Sequence, residues 1–285
     1  MKRIAILILL IACKVTGATA EAISEEAPTL ILGAVPWETA PIQELLTESE
    51  SGRIHNIPYT KGKLYGLPVV LALTGVSKTN TGMTTGALVT AFNPARVVFS
   101  GTGARVDPKI RPGYVFIIEE TMFHDVGNLT EEGMESSPVI GPTPNLVREP
   151  VFRPDPQLFE LATSLAENYK PSEAIKVDGV TYYTEVKPGS IVTGDLFSIS
   201  QWKYEEIVNK YMTDLFAMET AALGQTCSFM GVPWIAFRAG SDLIQAGDAS
   251  DDYKKYGPIA ARQAALFTLR FMQMLAERAA LNERV

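Results

Sequence analysis

The stretch Phe216-Ala217-Met218-Glu219-Thr220-Ala221-Ala222, followed after Val232-Pro233-Trp234-Ile235-Ala236-Phe237 by Arg238-Ala239-Gly240-Ser241-Asp242, decides how this chain is read. Asp214 to Met218 suits a short buried strand, Glu219 opens a helical pattern that runs to Met230, and Trp234 to Ala239 reads as a second buried strand. One carboxylate therefore enters a helix and another leaves the next strand. In a parallel sheet those two places lie at the same edge, so Glu219 and Asp242 can meet over one pocket.

Working outward, short β-rich runs alternate with helical patterns. Strands are expected at Thr29 to Ala34, Val69 to Leu73, Arg96 to Ser100, Tyr114 to Glu119 and Ile191 to Thr193. Helices are expected at Ser77 to Phe92, Pro156 to Tyr169, Ser198 to Tyr211 and about Asp252 to Leu281, the last repeating Ala260, Ala264, Phe267, Phe271, Met274 and Leu275. This alternation predicts an α/β fold, a single three-layer domain whose central mixed, largely parallel twisted sheet is flanked by helices. The segment from 125 to 155 breaks the pattern with many Gly and Pro residues. It reads either as a substrate-covering or subunit-contact loop or as a plain surface excursion.

With 285 residues, 46% of them hydrophobic and 20% charged, the chain can bury a full core as one large domain. A net charge of −7 without a long basic run argues against a nucleic-acid partner, which would need clustered Lys and Arg. Lys2-Arg3 precede an apolar run from Ile4 to Ala12 that is too short to span a bilayer, and Ala18-Thr19-Ala20 offers small residues for signal cleavage. Residues 1–20 thus read as an export signal, with the domain from 21 to 285 periplasmic or secreted. Leu10-Ile11-Ala12-Cys13 also resembles a lipobox, in which case Cys13 carries lipid and the protein meets a membrane. Simple export is preferred because Lys14 directly follows the cysteine. Beyond the signal Cys227 stands alone and reads as core packing. With only His55 and His124 there is little to build a metal site on, and no metal or other cofactor is expected.

Further segments carry a resemblance: Gly33-Ala34-Val35-Pro36-Trp37-Glu38, Thr74-Gly75-Val76-Ser77-Lys78, Ser100-Gly101-Thr102-Gly103-Ala104 and Thr193-Gly194-Asp195-Leu196-Phe197. Together with the Met218-Glu219 and Ser241-Asp242 pairs, and in this order, they resemble the nucleoside phosphorylase and nucleosidase superfamily. Within it the chain is most similar to the hydrolytic branch, the 5'-methylthioadenosine/S-adenosylhomocysteine nucleosidases. The resemblance implies a nucleoside phosphorylase-like fold, a purine nucleoside as small-molecule partner, cleavage of its N-glycosidic bond, and a homodimer. Two departures stand out: Ala217 replaces the first glutamate of the family's E-M-E motif, and Pro36-Trp37 replaces an acidic pair before Glu38.

The resemblance assigns roles residue by residue. Asp242 is the acid that protonates the leaving purine, oriented by Ser241; from the residues alone, an Asp capping a loop serves equally. Glu219 holds the ribose hydroxyls and Met218 packs on the sugar, although a glutamate at a helix start is also common for the helix dipole alone. Glu38 activates the attacking water. Phosphorylases carry phosphate-binding arginines in this region, where this chain has Glu38 and Phe99, so hydrolysis is favoured; Arg105 keeps phosphorolysis as the alternative, beside an exported non-catalytic binding or storage protein. Thr74 stands near the water, and Leu196, Phe197 and Ser198 match the segment that receives the purine.

Overall fold

Thr29–Gly33 forms a fully buried strand in a computed structural model that describes residues 27–141, 147–148, 150–244 and 249–282. The expected export segment 1–20, with Cys13, lies outside the described residues. From that strand, β1, the chain continues through helix α1 (Pro36–Gln43), β2 (Thr47–Ile54), β3 (Ile57–Leu64), β4 (Leu67–Leu73), α2 (Lys78–Phe92), β5 (Arg96–Arg105) and β6 (Val115–Phe123). Short strands follow: β7 (Gly127–Thr130), β8 (Gly133–Ser136), β9 (Val139–Ile140), β10 (Val147–Arg148) and β11 (Val151–Phe152). Then come α3 (Pro156–Glu167), β12 (Ala174–Val177), β13 (Val180–Tyr183), β14 (Val186–Thr193) and α4 (Gln201–Glu206), which runs into a π turn at Ile207–Tyr211. The last part is β15 (Leu215–Ala217), α5 (Thr220–Met230), β16 (Trp234–Leu243) and the long α6 (Ala249–Asn282).

The central strands are buried on both faces, and their side chains alternate between two cores as a period of two requires. Leu30 and Leu32 of β1, Val97 and Phe99 of β5, and Trp234 and Ala236 of β16 face the core shared with α2 and α5. Ile31, Val98, Ile235 and Phe237 face the core shared with α1, α3 and α6. Helix α6 fits this second face because Ala260, Ala264, Phe267 and Phe271 recur at helical spacing and are fully buried. Cys227 lies in the first core as expected, its thiol pushed up to about 12 by burial.

The sheet is mixed. β4, β1, β5 and β16 are parallel neighbours, as are β6, β14 and β15. Antiparallel pairings join these two groups, β15 to β5 and β16 to β6, so that β5, β16, β6, β14 and β15 close into a ring. Closure leaves those strands no free edge. The β2–β3 hairpin extends the other side beyond β4, and sequence periodicity did not announce it: Thr47–Ile54 is mostly exposed and has no apolar face. The helix expected from Ser198 begins later, at Gln201. The irregular segment after residue 125 contains the β7–β8 hairpin, which docks on α4 through Met134 N–H to Glu206 Oε1 at 2.5 Å.

Candidate active site

The C-terminal ends of β1, β5 and β16 converge with β15 on a cavity of about 140 Å³. Ligand clefts at this edge are the rule in open α/β sheets, because the connecting segments diverge there.

Glu38 reaches the cavity from the first turn of α1 and is 1% exposed. Its Oε2 accepts the backbone N–H of Ala34 at 2.6 Å and of Val35 at 3.3 Å. Its Oε1 accepts the N–H of Thr102 at 2.8 Å and the Thr102 hydroxyl at 2.9 Å. Burial pushes the carboxyl above its usual range, the nearby Arg238 charge pulls it down, and Glu219 pushes it further up. Gly101 makes this packing feasible: a Cβ there would stand 3.0 Å from Glu38 Oε1 and 2.8 Å from Arg238 Nη1.

Arg238 projects from β16 beneath the cavity, 1% exposed, with its guanidinium carbon 4.9 Å from the centre of the Phe99 ring. Its Nη2 donates to Glu219 Oε2 at 2.8 Å, while Nε and Nη1 have no hydrogen-bond partner among the described residues. Glu219 stands at the N-cap position of α5 but makes no capping bond; its carboxylate instead takes Arg238 and, at 3.3 Å, the Met218 N–H. The carboxylate thus does not cap the helix, although its place at the start of α5 suits the helix dipole. Breaking so buried a pair by deleting one partner costs ~3–5 kcal/mol, since the other charge is left uncompensated.

Asp242, 4% exposed, lies at the end of β16 and accepts the Ser241 hydroxyl on Oδ1 at 2.8 Å. Burial pushes its carboxyl up, against the downward pull of the Ser241 bond and its own amide. Arg105, the residue that kept phosphate binding open, spends Nε on the Ser241 carbonyl and Nη1 on the Ile110 carbonyl, each at 2.7 Å, and does not border the cavity. It braces the strand end that carries Asp242.

Aromatic side chains frame the mouth. The Tyr253 ring, from the first turns of α6, sits 5.9 Å from both Trp37 and Phe197 between centroids. Phe197 and Leu196, which border the cavity, remain 49% and 44% exposed.

Of the residues singled out in the sequence, Glu38, Leu196, Phe197, Met218, Glu219, Ser241 and Asp242 border this one cavity. Thr74 and Ser198 do not. Thr74 is buried, its hydroxyl 2.8 Å from the Gly75 carbonyl and 3.3 Å from that of Gly33, and its N–H donates to the Gly33 carbonyl and so ties the end of β4 to β1; Ser198 is exposed. No described residue of the segment from 125 to 155 borders the cavity either, so the substrate-covering expectation finds no support there. Arg238, Thr102, Trp37 and Tyr253 were not singled out as site residues. Arg238 left a readable signal, a cation inside an otherwise apolar buried strand.

The model of the phosphorylase superfamily matches residues 28–273, and the chain belongs to that superfamily. The 5'-methylthioadenosine/S-adenosylhomocysteine nucleosidase of Staphylococcus carnosus is 30% identical over 248 residues, covering 86% of this chain and 99% of that protein. Its namesake in Mycobacterium tuberculosis is 28% identical over 251 residues, 86% of this chain and 96% of that protein. Among solved structures, the Neisseria meningitidis enzyme of the same name, in complex with methylthio-immucillin-A, matches with a TM-score of 0.73 at 25% identity, covering 87% of this chain and 99% of that one.

Proposed function

We propose that this chain hydrolyses the N-glycosidic bond of a purine nucleoside of the 5'-methylthioadenosine/S-adenosylhomocysteine kind, releasing the free base and a ribose derivative. The observation that carries the reading is one cavity bordered by Glu38, Glu219 and Asp242, with a pair of matched relatives of that activity covered over nearly their whole length. A purine leaves poorly as an anion, so a buried carboxyl held above its usual range is suited to protonate it; Asp242 fills that role with Ser241 orienting it. Departure of the base leaves an oxocarbenium-like ribose. Glu219, fixed by Arg238, offers its carboxylate to the ribose hydroxyls, and Glu38 takes a proton from the water that attacks the sugar.

Water is favoured over phosphate by charge. The cavity is bordered by three carboxyl side chains, Glu38, Glu219 and Asp242, and among the described residues by one guanidinium, that of Arg238, and such a surround opposes a phosphate dianion. A panel of purine nucleosides assayed with and without phosphate tests the reading: free base should appear without phosphate, and strict phosphate dependence would sink it. Export of the domain through residues 1–20 is also proposed, supported by Lys2-Arg3, the short apolar run from Ile4 to Ala12 and the small residues Ala18-Thr19-Ala20. N-terminal sequencing of the protein made in a secreting host decides it, with Glu21 at the new terminus expected and acylated Cys13 contradicting simple cleavage. A homodimer, the remaining proposal, is tested by sedimentation.

A further inference from the structure

The Glu38 carboxylate receives four hydrogen bonds: two on Oε2, from the Ala34 and Val35 N–H, and two on Oε1, from the Thr102 N–H and hydroxyl. Two carboxylate oxygens offer about four lone-pair sites, so every site is occupied. A base in that condition has no place for a proton. To accept one from water it must lose a donor. Three of the donors are backbone N–H groups fixed in the turn after β1 and in β5, and they cannot turn away. The Thr102 hydroxyl can, by rotation about one bond. Its oxygen lies 3.5 Å from the phenol oxygen of Tyr253, beyond the usual O–H···O range, so the two hydroxyls are close neighbours and either can donate to the other.

We propose that Tyr253 is a positioning residue for the hydrolytic step: its phenol oxygen receives the Thr102 hydroxyl when that hydroxyl releases Glu38, and so opens the lone pair on Oε1 that takes the proton of the attacking water. This rests on the reading of Glu38 as the base. The balance is simple. One water O–H bond breaks, its proton forms the Oε1–H bond of Glu38, and the hydroxide oxygen bonds to the ribose carbon as the C–N bond gives its electrons to the purine. Thr102 and Tyr253 transfer nothing; only the direction of one hydroxyl changes. The phenol is well held for the purpose, since its ring is wedged between Trp37 and Phe197, and burial keeps it protonated by pushing it up to about 12.

The charged and titratable groups that face Glu38 are Arg238 and Asp242 from β16, Glu219 from the start of α5, and Tyr253 from α6. Arg238, Glu219 and Tyr253 are coupled to Glu38 electrostatically, so single variants must be compared with one another. Tyr253→Phe keeps the ring and removes the acceptor, leaving Thr102 locked on Glu38. The kcat should fall about five- to tenfold, the worth of one neutral hydrogen bond, with KM nearly unchanged. The acid limb of the kcat profile should move to lower pH, because a carboxylate that keeps its donor holds a proton less well. Thr102→Val removes the donor itself, and its acid limb should move the opposite way, to higher pH.

Opposite displacements are something a general loosening of the site does not produce. In a Glu38→Gln background, Tyr253→Phe should add no further loss, since both act through one group. Unchanged kcat and acid limb in Tyr253→Phe, beside a strongly impaired Glu38→Gln, overturn the positioning role and leave the base assignment standing. Near-normal turnover in Glu38→Gln overturns both.

Discussion

Two corners of the same cavity hold a buried carboxylate, and they are wired differently. At the β1 and β5 corner Glu38 receives four donors, three of them rigid backbone N–H groups. At the β16 corner Asp242 receives, among the described residues, the Ser241 hydroxyl and its own amide. Burial pushes both carboxyls up. Donors stabilise an anion and Glu38 has more of them, which is the difference the proposed roles call for, with Glu38 accepting the proton of water and Asp242 giving one to the base. Under the proposed roles, two residues of one chemical class take opposite jobs through their environments, a pattern by which acid and base are told apart.

The sharpest way to break the comparison is Asp242→Asn. It keeps the shape of the β16 corner but removes the proton, so kcat should fall by ~10²–10⁴ with little change in KM. The alkaline limb of the pH profile should vanish with it. Near-normal turnover in steady-state assays would leave only one working corner.

Folding stability at acid pH has a contributor outside the carboxyl pair. His124 is fully buried, stacked at 4.8 Å on Phe216, and its ring nitrogens have no partner among the described residues. Phe216 borders the cavity on its other side. Burial lowers the imidazole from its ordinary 6.5 to about 4. The unfolded chain therefore takes up a proton between those values that the folded chain refuses. Stability from this group is complete above pH 6.5 and is lost as pH falls toward 4, by ~3 kcal/mol in all. Glu38 and Asp242 work the other way, because a carboxyl raised in the folded state binds its proton first and adds stability on acidification. Urea midpoints across pH 4 to 6.5, compared with His124→Phe, separate these signs: the wild type should lose stability on acidification more steeply than the variant.

Smaller changes sharpen the picture between the corners. Glu219→Gln keeps a hydrogen bond to Arg238 but loses the charge offered to the sugar, and preference for ribosides over 2'-deoxyribosides should drop about tenfold, the scale of a charge-assisted bond. Equal preference in both proteins removes Glu219 from sugar recognition. Least affected should be Phe197→Ala at the exposed mouth. Its KM should rise by a few fold, as loss of one half-exposed aromatic contact allows, with kcat retained.

The layers of this protein and most of the residues that border its cavity are legible in the sequence. Buried strands announce themselves as apolar runs, and helix α6 through its recurring Ala and Phe, because burial selects side chains directly. Glu38, Glu219 and Asp242 were legible through short motifs in a fixed order. The β2–β3 hairpin was not, since an exposed edge hairpin needs no apolar face. Nor was the ring formed by β15 with β5 and β16 with β6, which depends on partners far apart in the chain. Only the tertiary structure moved Thr74 and Ser198 away from the cavity and brought Arg238 under it. It alone set Thr102 between Glu38 and Tyr253, residues that lie 64 and 151 positions from Thr102 in the chain. Motifs record which side chains a strand end presents. Which donors then surround a carboxylate is decided when separate strand ends and a distant helix close over the same space, and no local pattern encodes that.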